Sequence, residues 1–98
     1  MKALLIDAVE VKEIDIENNL EALQKAVDGF VEVVTLIPEQ AVMIVYEEGY
    51  LRGLGINLIA SAVANTLIVG TALIVGVNGE EFTDVPEATV DSILYDYK

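Results

Sequence analysis

The chain has 98 residues, with 17 carboxylates against five Lys and Arg, neither histidine nor cysteine, and a formal charge of -12. That balance excludes disulfides, thiolate metal sites and thiol nucleophiles, and it removes the usual general base near neutral pH. It also argues against direct nucleic-acid binding, which draws on clustered cations, whereas only Lys2, Lys12, Lys25, Arg52 and Lys98 are present.

Residues 1–98 fit one domain, and a domain of this size buries about two-thirds of the surface of its unfolded chain. Apolar residues make up 54% before glycine is added, which rules out disorder and favours a partner for the surplus apolar surface, most simply a second copy. The apolar stretch Ala3 to Ile6 is too short for a signal peptide, so the cytoplasm is the expected location.

Lys2 to Asp7 reads as a short buried strand. Val9 and Val11 alternate with charges, but Ile14 and Ile16 fall in the opposite phase, so a returning strand with one apolar face needs a bulge near Lys12-Glu13. Asn18 then caps a helix, with Glu21 completing a capping box, Leu20, Leu23 and Val27 forming its stripe, and Gly29 giving a left-handed stop.

Phe30 to Leu36 and Val42 to Tyr46 are β-branched and aromatic, predicting two strands around a turn at Pro38-Glu39-Gln40. Tyr50 to Gly55 is an optional further strand. Asn57 caps a short helix through Ile59, Ala60 and Val63 that Asn65-Thr66 ends. Thr71 to Val77 is a strand closed by Asn78-Gly79. A last helix follows, capped by Thr83 or Asp84, with Pro86 in its first turn and Val90, Ile93, Leu94 and Tyr97 on one face. The expected fold is therefore α+β: a largely antiparallel sheet with two to three helices packed on one side, in approximate order ββαββ(β)αβα.

Gly53 to Asn78 carries no charge over 26 residues, and Leu58 to Val77 has the length of a membrane span. Asn57, Ser61, Asn65, Thr66 and Thr71 scatter polar groups through it, and Gly70 and Gly76 divide its second half into strand-sized pieces. The reading is a buried half of a water-soluble domain, with no membrane contact.

No motif commits the chain to a reaction. Asp84, Glu87 and Asp91 occupy consecutive turns of the last helix as a solvated face or cap, and no calcium-loop pattern occurs. No metal or cofactor is expected. The segment Gly49-Tyr50-Leu51-Arg52-Gly53-Leu54-Gly55-Ile56-Asn57 combines glycines, one cation and a helix start. It reads first as a glycine-punctuated turn, and Tyr50, Arg52, Asn57 and Ser61 are the candidate ligand- or partner-binding residues. Tyr46, Tyr50, Tyr95 and Tyr97 read as amphipathic residues at the edge of the core.

The opening Met1-Lys2-Ala3-Leu4-Leu5-Ile6-Asp7 and the later Gly53-Leu54-Gly55-Ile56-Asn57-Leu58-Ile59-Ala60-Ser61 resemble the domain of unknown function 3846 family, small acidic proteins of phages, prophages and conjugative elements. The resemblance extends through Phe30-Val31-Glu32-Val33-Val34 and Ile68-Val69-Gly70-Thr71-Ala72-Leu73-Ile74-Val75, and departs at Gly55 and Ala8, where the family pattern has proline. It implies a non-enzymatic accessory protein of mobile DNA. Joined to the acidity, it leads to the expectation of a host protein with a basic surface as partner, a defence component among the candidates. The alternative is a homo-oligomer that sequesters a small molecule near residues 49–61. An enzyme working with carboxylates alone is a third class.

Overall fold

The structure, a computed structural model, describes residues 1–36 and 41–97, with Tyr97 described by its backbone only. The turn expected at Pro38-Glu39-Gln40 lies outside the described residues. The elements are β1 (Lys2–Ile6), β2 (Val11–Asp15), α1 (Leu20–Val27), β3 (Val31–Thr35), β4 (Ala41–Tyr46), α2 (Leu58–Ala64), β5 (Ala72–Asn78), β6 (Glu81–Thr83) and α3 (Glu87–Tyr97). The strands form one antiparallel sheet of order β2-β1-β5-β4-β3, and β6 pairs with β5 as well. The α+β expectation holds.

The register explains the burial. Leu4 stands opposite Ile74, and Ile74 opposite Met43, so even positions of β1 and β5 share a face with odd positions of β4. That face holds Leu4, Ile6, Met43, Val45 and Ile74 beneath Ala60 of α2 and Val90 and Ile93 of α3. The other face gathers Ala3, Val42, Ile44, Leu73 and Val75 beneath Leu23 and Val27 of α1. Two helices thus share a side, while α1 covers the opposite one. A sheet covered on both faces wants continuous apolar strands, and β4 and β5 each bury five successive residues. Every large side chain taken out of water there contributes about 1.5–3 kcal/mol.

The same two-sided cover removes the bulge expected in β2. Its pairing with β1 is unbroken from Lys2↔Asp15 to Ile6↔Val11. Val11 packs on the α2/α3 side and Ile14 and Ile16 on the α1 side, so the phase change serves two cores rather than one. Val9 lies outside the strand, 83% exposed in the connecting loop.

The ends of the helices follow local chemistry, with shifts from the expected positions. Asn19, not Asn18, caps α1, its side-chain oxygen accepting from Ala22 N at 2.8 Å. Asn18 instead donates to Phe82 O at 2.8 Å, tying the exit of β2 to β6. The left-handed residue after α1 is Asp28, at φ 70, rather than Gly29. Glycine is needed at 29 for another reason, since a Cβ there would fall on the Tyr46 ring. Asn57 and Asn65 do cap α2 as expected, Asn65 at φ 55.

Tyr50 to Gly55 is not a strand. Arg52 N–H donates to Glu48 O, Gly53 N–H to Tyr50 O and Leu54 N–H to Gly49 O, so backbone groups that would face a neighbouring strand are consumed by local turns. The strand unforeseen from the sequence is β6, reached through Gly79 at φ 64. Asp84 does not cap α3, because its Oδ1 accepts from Lys2 N at 2.8 Å. Pro86 precedes α3 and its carbonyl accepts from Thr89 and Val90.

Among the described residues no helix is long and apolar enough to cross a membrane. The uncharged run is divided instead among turn, α2 and β5, the strand between β1 and β4.

Candidate functional site

The segment singled out by its glycines meets the end of β1 at a small open cleft of about 220 Å³. Ala8 and Thr71 line it beside the strand ends, Asp28 beside the end of α1, and Leu54, Ile56 and Asn57 along the connecting segment. An isolated antiparallel bridge pairs Ile56 with Val69, and Gly70 N–H donates to Gly55 O at 2.9 Å, which holds that wall in place. Gly55 and Ala8 both line the cleft. A Cβ at Gly55 would meet nothing within 4 Å, so the cleft has room for a larger residue there.

Of the four candidate residues, only Asn57 lines this cleft. It is 2% exposed and its amide is fully engaged. Oδ1 accepts from Ala60 N at 3.0 Å, while Nδ2 donates to Ile6 O at 3.0 Å and to Gly70 O at 2.9 Å. One side chain therefore joins the end of β1, the start of α2 and the approach to β5. Ser61 closes the other end of the same loop: its Oγ donates to Ile68 O at 3.1 Å and accepts from Ile68 N at 2.8 Å. Both polar groups are committed to the backbone, and a ligand would have to displace those bonds to use them.

Arg52 and Tyr50 lie outside the cleft lining. Arg52 forms an exposed i,i+4 pair with Glu48, Nη2 to Oε2 3.6 Å, of a kind that contributes about 0–1 kcal/mol. Tyr50 is 74% exposed. Tyr95 is also exposed rather than at the core edge, whereas Tyr46 is half-buried, with its hydroxyl 3.5 Å from Glu48 Oε2; the Tyr97 side chain lies outside the described residues. Asp28 and Ala8 were not foreseen as lining residues. Asp28 reads as an exposed helix residue, and no sequence signal brings the loop at Ala8 to Gly55.

The cleft brings together little reactive chemistry. Among the described residues no three His, Cys, Asp or Glu side chains are grouped so as to hold a metal ion. The Asp7 carboxyl, in the loop after β1, titrates below its ordinary position. Its Oδ1 accepts from Val9 N and Glu10 N, both at 2.9 Å, and these bonds, with a smaller contribution from Lys12, hold its carboxyl below the ordinary value of 3.8. The bonds stabilise the folded chain above that value, and the contribution is lost as pH falls through the lower folded-state pKa. Asp7→Asn removes this dependence. Its urea midpoint, read by circular dichroism, should consequently fall less than that of the wild type between pH 5 and pH 3; equal falls would mean that Asp7 carries no linkage.

No curated protein and no solved structure matches the chain. The model of the family described as Domain of unknown function (DUF3846) matches residues 1–98, and with its opening strand, capped α2 and central β5 all inside the matched span, the chain belongs to that family.

Proposed function

We propose that this chain is a non-catalytic accessory protein of a phage or other mobile element that binds a host protein with a basic surface, a component of defence against foreign DNA being the first candidate. The supporting observation is the joining of two acidic segments far apart in sequence. The Asn18–Phe82 bond and the Lys2–Asp84 bond draw residues 13–17 and 80–87 to one end of the sheet. Glu13, Asp15, Glu17, Glu80, Glu81, Asp84 and Glu87 are all exposed. Salt bridges among the described residues are limited to Lys12–Glu10 and Arg52–Glu48, so this end keeps its negative charge. Such a surface attracts a cationic partner and speeds its encounter.

The sequestering alternative draws on the cleft at Leu54–Asn57. Its volume of about 220 Å³ lies below the roughly 300–1,000 Å³ of most small-molecule sites, and the Asn57 amide has no spare hydrogen-bonding group. Protein binding is accordingly the preferred reading.

The test is capture from host lysate on the immobilised chain at 0.1 M and 1 M NaCl, with mass spectrometry of what is retained. A specific partner should be held at low salt and released at high salt. The triple variant Glu13→Gln, Glu81→Gln, Glu87→Gln should retain several-fold less of it. Capture that survives both molar salt and the triple variant would overturn the electrostatic reading.

A further inference from the structure

The two outer strands of the sheet are treated differently by the sequence. β2 carries Lys12, Glu13 and Asp15 among its five residues, a charged edge of the kind that keeps strands from pairing with other chains. β3, Val-Glu-Val-Val-Thr, has one charge. Glu47 N–H donates to Phe30 O at 2.8 Å at one end of β3, and Leu36 N–H to Ala41 O at 3.3 Å at the other. With the register Val31↔Tyr46 to Thr35↔Val42, these bonds fix the phase. Phe30, Glu32, Val34 and Leu36 bond towards β4, and Val31, Val33 and Thr35 turn their N–H and C=O groups outward. No described residue accepts from or donates to those outward groups.

We propose that β3 is a homodimer interface, in which two copies pair their β3 edges antiparallel about a two-fold axis through Val33. The occupant is set by what the edge offers. A row of alternating donors and acceptors on an extended strand is complemented by another extended strand, and β3 is self-complementary. With Val33 opposite Val33 of the second copy, Val31 faces Thr35, and the outward groups of both strands meet in six N–H···O=C bonds. Glu32 falls opposite Val34 and not opposite its own symmetry mate. Moving the axis to residue 32 would set the two Glu32 carboxylates face to face and leave fewer outward groups paired. Val33, 47% exposed, and Phe30, 66% exposed, both gain cover. The product is a continuous sheet across two protomers, closed by symmetry.

This pairing is separable from the partner binding proposed above by its response to salt. Each copy carries -12, so dimerisation works against repulsion and should tighten as salt screens it, the opposite of binding to a basic partner.

Sedimentation equilibrium of the full chain over micromolar to millimolar concentration, at 0.05 M and 0.5 M NaCl, reads the association directly. The expected result is a monomer–dimer equilibrium that is tighter at the higher salt. Val33→Pro removes the outward N–H from both central bonds without touching a bond to β4, and should weaken the dimer by about a hundredfold or more. Its circular dichroism and monomer melting should stay close to the wild type. Val33→Lys, which places a charge at the axis, provides a second variant if the proline chain does not fold. Amide exchange on the wild type completes the test, since Val31, Val33 and Thr35 should gain protection as concentration rises. A chain that is monomeric throughout overturns the proposal, as does a dimer that withstands the folded variants and leaves those three amides unprotected.

Discussion

Asn57→Ala is expected to lower folding stability by about 4 kcal/mol. The estimate combines ~1 kcal/mol for a lost helix cap with ~1–2 kcal/mol for each of two carbonyls, Ile6 O and Gly70 O, left without their donor. A domain of this size has ~5–15 kcal/mol in total, so the loss is a large fraction of it. Urea denaturation followed by circular dichroism gives the measurement, with an unchanged m-value showing that the two-state transition persists.

Asn57→Asp separates the donor from the cap. It keeps an oxygen for Ala60 N but turns a second oxygen towards two carbonyls, so at neutral pH it should be no more stable than the alanine variant. Its deficit relative to the wild type should shrink as the pH falls and the new carboxyl takes up a proton. A loss below 1 kcal/mol in Asn57→Ala would refute the junction role and return Asn57 to the list of ligand-binding candidates.

The second large effect is expected at Gly76. This residue sits in β5, in register with Ala41 of β4 on one side and Thr83 of β6 on the other, where the chain leaves β6 and turns over the sheet towards α3. A Cβ here would run into the Asp84 carbonyl and lie 2.7 Å from Thr83 Oγ1. The carbonyl belongs to a backbone fixed on both sides, by Lys2 N–H on Asp84 Oδ1 and by Val85 N–H on Lys2 O, so it cannot simply withdraw. Gly76→Ala should cost about 3 kcal/mol. The loss should come with increased amide exchange at residues 81–85, as β6 is pushed from the sheet. Gly55→Ala is the control, with open space around the new methyl and no positive φ, and it should leave stability within ~1 kcal/mol of the wild type. Equal behaviour of the two variants would mean that the crowding at Gly76 is relieved at little cost.

Local chemistry was the legible part of this chain. Val42 to Tyr46 and Thr71 to Val77 are read as strands from β-branched composition, and Asn57 and Asn65 are read as the ends of a helix from hydrogen-bonding capacity alone. What escaped depends on contacts between distant residues. Gly29 looks like a helix stop until the Tyr46 ring is placed against it, and Asp28 then takes the left-handed position. Ile14 and Val11 appear out of phase only if the sheet is given a single core. β6 is only three residues, too short to show an alternating pattern, and is held extended by β5. At the cleft, Asn57 and Ser61 were picked out for their polarity in an apolar run, but polarity cannot reveal whether a group faces a ligand or the backbone; here both bond to the backbone.

The position of β5 also governs the order of assembly. β1 and β2 close as one hairpin and β3 and β4 as another, and neither strand pair is bonded to the other except through residues 72–76. During synthesis both hairpins must wait, each with an apolar flank open to water, for the last third of the polypeptide to emerge and wedge between them. Such sequence-distant closure places the chain among slow folders, on the millisecond-to-second scale. The waiting interval is when a nascent copy is most exposed to aggregation.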